Sequence, residues 1–439
     1  MSLIPAWRVT DAQPGGVVAP DERLAWGPTI ALGVQHVIAM FGATVLAPLL
    51  MGFDPNVAIL MSGVGTLIFF FIVGGRVPSY LGSSFAFIGV VIAATSYSGQ
   101  GPNPNIALAL GGIVACGIVV ALIGLIVTLI GVGWIEALMP PVVTGAVVAV
   151  IGLNLAGVPI KNMAPTGFDA WMQAVTFVSV GLVAVYTRGM TQRLLILVGL
   201  ILASLVYAIL TNGFGLGKPI DFSRVGSAPW FGMPAFTAPE FTGQAILLIA
   251  PVSVILIAEN LGHIKAVTAM TGKNLDPYMG RAFIGDGLAT IVSGSLGGTG
   301  VTTYAENIGV MAATKIYSTA MFIVAAVIAV VLGFSPKFGA LILTIPLAVM
   351  GGVSIVVFGL IAVAGAKIWV ENKVDFGNNV NLIVAAVTLV LGTGDYTLKF
   401  GKFTMGGIGT ATFGAILLHA LLRGGAERTT NRRTQARGD

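Results

Sequence analysis

Two short stretches of this chain hold the residues that could do chemistry inside an otherwise apolar sequence. One carries Glu259, Asn260 and His263, and the other carries Glu306 and Asn307. Glu259 follows the run from Ala245 to Ala258, which has no charged residue. A carboxylate at membrane depth costs ~2.5–3.5 kcal/mol on insertion scales. A chain that keeps two of them, each beside an asparagine, puts them to use. Glu259 and His263 are four residues apart and share one helix face. Glu306 opens a helix-like run to Ala313, just after Thr302-Thr303 and the glycines at 294–300. That order predicts a broken helix with backbone N–H groups presented near the second carboxylate.

Two carboxylates and an imidazole on one cavity offer acceptors, donors and a store for a proton. Ionised together they repel, and a bound proton or a substrate N–H relieves the repulsion. The spans supply no extra cation, so an anionic substrate is poorly served. A neutral planar solute with alternating N–H and C=O groups fits better. The carboxylates would accept its N–H groups, and amides at the helix break would donate to its carbonyls. Phe85 and Tyr304, one on each interrupted segment, would cover its face. No cage of carbonyls and hydroxyls for Na⁺ is visible, so Glu306 and Glu259 are the expected proton carriers, tuned by His263.

Plainer roles compete for each residue. Glu259 and His263 could brace helices, Glu306 could sit as a dipole-stabilised cap, and the aromatics could simply pack. Asp286 reads either as a group behind the site or as a solvated end residue, and His36 could reach the cavity from the first span. The glycines at 294–300 lack the Gly-Lys-Ser/Thr ending of a nucleotide loop. No metal cluster, nucleophile motif or cofactor loop is visible. The expectation is a protein that is not an enzyme, with no cofactor and no metal.

These residues must be positioned by membrane spans. The 439-residue chain is 56% hydrophobic and 9% charged, where soluble domains carry about 25% charged residues. Its mean hydropathy is +0.96. Its net charge of +5 is scattered and does not suggest nucleic acid. The single cysteine, Cys116, excludes an internal disulfide. Residues 1–26 are polar and lack an apolar signal core. The hydropathy pattern predicts an all-α polytopic protein of fourteen spans: 27–50, 55–74, 80–97, 106–130, 135–157, 170–188, 193–213, 244–269, 280–295, 302–313, 316–334, 338–366, 379–393 and 404–422. Both termini are expected in the cytoplasm, which places most basic residues there, including the tail from 423 to 439. A polar connector, 214–242, divides a first repeat (27–213) from a second (243–422). Gly145 and Gly152 after Pro140-Pro141 match Gly352 and Gly359 after Pro346, and the interruptions at Gly82–Phe85 and Thr302–Tyr304 also correspond. With seven spans each, the two repeats must be inverted, and paired breaks point to a midplane transport site.

At Glu306-Asn307-Ile308-Gly309 with Thr314-Lys315, the chain resembles the nucleobase–cation symporter-2, or nucleobase–ascorbate, transporters. The resemblance extends to Gln35-His36, Phe41–Val45, Tyr80–Phe87 and Glu259–His263. Glu306 is similar to the residue of bacterial uracil permeases, where xanthine and urate members usually have Gln. The resemblance implies a 7+7 inverted repeat, a core of spans 1–4 and 8–11, a gate of spans 5–7 and 12–14, and short antiparallel strands within spans 3 and 10. It implies a proton-coupled uracil or pyrimidine importer of a bacterial inner membrane, working as a homodimer. Substrate would meet Glu259, Glu306 and Phe85, with contacts near Ala43, His263, Tyr304 and Ala305. The chain departs at Ala305, where uracil permeases often have Gly, and at Phe358, where they often have Tyr. The rival readings are a purine or xanthine symporter of the same fold and, from another class, an anion exchanger or channel.

Overall fold

A computed structural model describes residues 6–10, 16–97, 99, 101–401 and 403–435. Parts of the polar N-terminal segment and the last four residues of the basic tail lie outside the described residues. Among the described residues the chain is mainly helical, with three two-stranded sheets. Among the described residues, eight helices are long and apolar enough to cross a membrane, or up to nine if one bent pair counts as a span. The protein is therefore a multi-pass membrane protein, and the coarse reading of its fold class holds.

Residue contacts divide the chain into two compact units. One comprises the chain up to Gly131 together with Gly157–Val356, and the other Val132–Ala156 together with the chain from Val357 on. In the second unit, Pro141–Leu155, Asn379–Thr393 and Gly407–Gln435 pack together. Asn154 there donates to the carbonyl of Gly392 at 2.8 Å.

The first unit holds all the candidate site residues. Its tightest seam joins Ile106–Ile130 to Met279–Ser295. Gly117 and Gly124 of one helix face Gly280 and Gly287 of the other. A Cβ on Gly287 would lie 2.5 Å from the Ala121 nitrogen, and one on Gly124 would lie 2.8 Å from the Gly280 carbonyl oxygen. Small residues that let backbones touch are the usual glue between helices in lipid. They also explain why the stretch at 280–295 looks weak by hydropathy: its contact face is glycine.

Several elements differ from the spans drawn on the sequence, two of them at prolines. The stretch 338–366 is not continuous. Pro336–Ile342 is a separate short helix bent by 87° from Thr319–Gly333, and Leu347–Glu371 starts only after Pro346. Proline lacks an N–H and disfavours helical geometry in the residue before it. Asn56 closes the bend, its amide donating to the carbonyls of Gly333 (3.1 Å) and Ser335 (2.7 Å). The stretch 135–157 likewise breaks at Met139-Pro140, between Gly133–Leu138 and Pro141–Leu155.

Candidate functional site

The site is built on a strand pair that few sequences would reveal. Leu81–Ser83 and Val301–Thr303 run antiparallel, with Gly82 opposite Thr302. These are the two strands that the resemblance implied in the interrupted spans. Each strand leads into a short helix, Phe87–Thr95 after one and Ala305–Thr314 after the other. The first-turn N–H groups of such helices lie outside their own hydrogen-bond ladders, and the dipoles favour negative charge there.

A two-stranded sheet inside a membrane leaves two polar edges to satisfy. Hydroxyls from neighbouring helices do so. Thr66 accepts from Leu81 N at 2.9 Å, and Thr290 accepts from Val301 N at 3.2 Å and donates to the Val301 carbonyl at 3.0 Å. The Thr299 hydroxyl donates to Ser83 Oγ at 2.6 Å. Tyr304 is buried. Its hydroxyl donates to the Ser83 carbonyl at 2.9 Å and accepts from Thr44 at 3.1 Å.

Glu259 lies in the helix Val252–Thr271, which begins after Pro251. It is half-buried. Ser84, directly after the first strand, hydrogen-bonds its carboxylate, and Glu306 is near enough to act on it electrostatically. Glu306 is also half-buried, in the first turn of Ala305–Thr314, where its side chain bonds its own backbone N–H. Ala305 beside it is exposed, and Phe85, between strand and helix, is half-buried. Ala43 is buried in Trp26–Met51, one residue before Thr44.

Alternation along the second strand sends its two threonines to opposite partners. Thr303 Oγ1 meets His263 Nδ1 at 2.9 Å, so the histidine one turn from Glu259 ties its helix to the sheet. Thr302 Oγ1 donates to Asp286 at 3.2 Å. The same Asp286 oxygen accepts from Asn260 Nδ2 at 2.8 Å. The second asparagine has a matching anchor: Asn307 Nδ2 lies 2.9 Å from His36 Nδ1 and donates to the His36 carbonyl at 3.0 Å. Each glutamate is thus followed by an asparagine held by a buried residue of another helix. Spacing did not single out Asp286 and His36 as those anchors, although the Glu-Asn repetition was the available signal.

Two half-helices begin at a shared strand pair, with two carboxylates beside them, within a bundle of apolar spans; breaks of this kind are where transporters commonly bind solute. That is the architecture of a multi-pass permease. The chain belongs to the family described as the Permease family, which it matches over residues 27–400. It is 68% identical over 419 residues to RutG of Escherichia coli (strain K12), named as a pyrimidine permease, covering 95% of each chain. It is 42% identical to a uracil permease of Paenibacillus larvae subsp. larvae, covering 92% of this chain and 96% of that one. The resemblance drawn from the motifs is borne out, and the family is one of permeases rather than enzymes. Among solved structures, the transmembrane domain of a cyanobacterium bicarbonate transporter, BicA, aligns with TM-score 0.62 at 18% identity, over 84% of this chain and 96% of that one. The murine anion transporter Slc26a9 in its inward-facing state aligns with TM-score 0.65 at 12% identity, over 92% and 69%. Both share the fold.

Proposed function

We propose that the protein is a proton-coupled symporter that imports uracil or a related pyrimidine across a bacterial inner membrane by alternating access. The observation that carries this reading is that Glu259, from the middle of Val252–Thr271, and Glu306, in the first turn of Ala305–Thr314, lie within electrostatic reach of each other beside one strand pair. The carboxylates accept the N–H groups of the base. First-turn amides at Ala305–Thr314 donate to a carbonyl, and Phe85 covers the ring. His263, held by Thr303, orients the site and tunes or relays the proton shared by the two glutamates. Ala43, Tyr304 and Ala305 line or support this place, and the exposed Ala305 methyl adds bulk beside the ring.

In this reading fourteen membrane segments form a 7+7 inverted repeat, with both termini in the cytoplasm. A core of spans 1–4 and 8–11 moves against a gate of spans 5–7 and 12–14, in a homodimer. The names of the relatives support a pyrimidine over a purine or an anion. The test is uptake of labelled uracil into vesicles containing the protein, with xanthine and thymine as competitors. Saturable uptake competed by pyrimidines is expected. Competition by xanthine alone would move the protein to the purine branch, and non-saturable flux would make it a channel.

A further inference from the structure

By composition residues 16–25 read as a loose polar lead-in to the first span, yet they are stitched onto the transport helices. Val18 and Leu24 are buried. Val18 pairs in parallel with Ile316. Its N–H donates to the Lys315 carbonyl at 3.1 Å, and its carbonyl accepts from Tyr317 N at 2.8 Å. The carbonyl of Pro20 accepts from Thr319 N at 3.1 Å and from the Thr319 hydroxyl at 3.0 Å. Upstream, Arg8–Val9 pairs with Glu22–Arg23, and Trp7 Nε1 donates to Thr319 Oγ1 at 2.9 Å.

Lys315 is the residue that ends the helix carrying Glu306. It takes the left-handed conformation, φ 55°, and its N–H closes on Met311 at 2.8 Å. That helix has only 10 residues, too few to hold its own geometry without packing. On the other side Asp21 lies 4.0 Å from Lys273, just past the Gly272 cap of the helix carrying Glu259. This pair is exposed and weak, and Arg8 competes for Asp21 at 3.9 Å. The main-chain bonds to 315–319 therefore carry the connection, and the ion pair only orients it.

We propose that residues 7–10 and 16–23 form a clasp that fixes the far end of the Glu306 helix against the start of Thr319–Gly333, so that this segment sets the position of the Glu306 carboxylate and with it the affinity for substrate. The inference rests on the proposed function for its ligand. It assigns Val18 and Trp7 as positioning residues distant from the base.

The test uses the full chain purified in detergent, with Val18→Pro, which removes the donor to Lys315, and Trp7→Phe, which removes the donor to Thr319. Uracil affinity is measured by calorimetry and amide exchange by mass spectrometry over residues 305–314. Val18→Pro should speed exchange in that helix and weaken uracil binding about five-fold, the equivalent of one lost hydrogen bond. Trp7→Phe should act in the same direction. In a Glu306→Gln background Val18→Pro should add no further loss, since interacting changes are not additive. Parent-like exchange and parent-like binding in the variants would overturn the clasp, and if Val18→Pro fails to fold, Trp7→Phe decides alone. If the parent itself does not bind uracil, the proposed function fails, while the exchange rates still decide the clasp.

Discussion

The hydroxyl of Tyr304 donates to the carbonyl of Ser83 across the strand pair, at 2.9 Å. The two residues are 221 positions apart, so one side chain fastens the two interrupted segments to each other. The Tyr304 ring lies over Gly82, where an added Cβ would come within 2.5 Å of it.

Tyr304→Phe keeps the ring and loses the bonds to Ser83 and Thr44. The expected cost is about 1–2 kcal/mol of stability, read as a lower melting temperature in detergent. Gly82→Ala forces the ring away and should cost about 1–3 kcal/mol, as overpacking does. A Gly82→Ala protein that melts with the parent would show that the sheet tolerates a methyl there.

Asn56 should matter for folding and leave substrate contacts alone. Asn56→Ala strands the carbonyls of Gly333 and Ser335 at the bent helix pair. A loss of about 1–3 kcal/mol is expected, with uracil affinity of the folded fraction unchanged. Thermal melting and binding measured on the same sample separate the two effects.

The glutamates should behave in the opposite way. Glu259→Gln and Glu306→Gln keep volume but exchange an acceptor oxygen for a donor amide. Each should weaken uracil binding by about 1.5–3 kcal/mol, the usual worth of a charge-assisted bond, with little change in melting temperature. Calorimetry on monodisperse protein checks this, and parent-like affinity in Glu259→Gln would remove it from the site.

Phe85→Ala should weaken binding while the protein still expresses and purifies as a single species. The side chain is half-buried at the end of the first strand, so its removal empties the face against which the base would stack. Unchanged affinity would return Phe85 to a packing role.

The parts of this site that follow from local spacing were legible in the sequence. Glu259 and His263 share a helix face because helices repeat every 3.6 residues, and His263 does reach across to Thr303. The interruptions at Gly82–Phe85 and Thr302–Tyr304 were visible because glycines and β-branched threonines displace helix formers. What spacing cannot show is which distant residues answer a buried polar group. Asp286 meets Asn260 only because a glycine seam draws Met279–Ser295 into the core, and His36 meets Asn307 over a separation of 271 residues. Hydropathy also overran the turn before Pro346, where apolar residues continue although the helix stops. The N-terminal segment misled for the opposite reason: its contacts are mostly main-chain bonds, which leave no mark on composition.

In the proposed cycle a proton bound at the paired glutamates drives uptake of a neutral base. The most direct measurement is labelled uracil uptake into proteoliposomes without Na⁺, with an imposed gradient acidic outside. Each cycle would carry positive charge inward, assisted by ~2.3 kcal/mol per charge per 100 mV of inside-negative potential. The expected result is saturable accumulation that rises as external pH falls from neutral and collapses with a protonophore, with Glu306→Gln insensitive to the gradient. Uptake that requires Na⁺ and ignores a protonophore at clamped voltage would contradict the account.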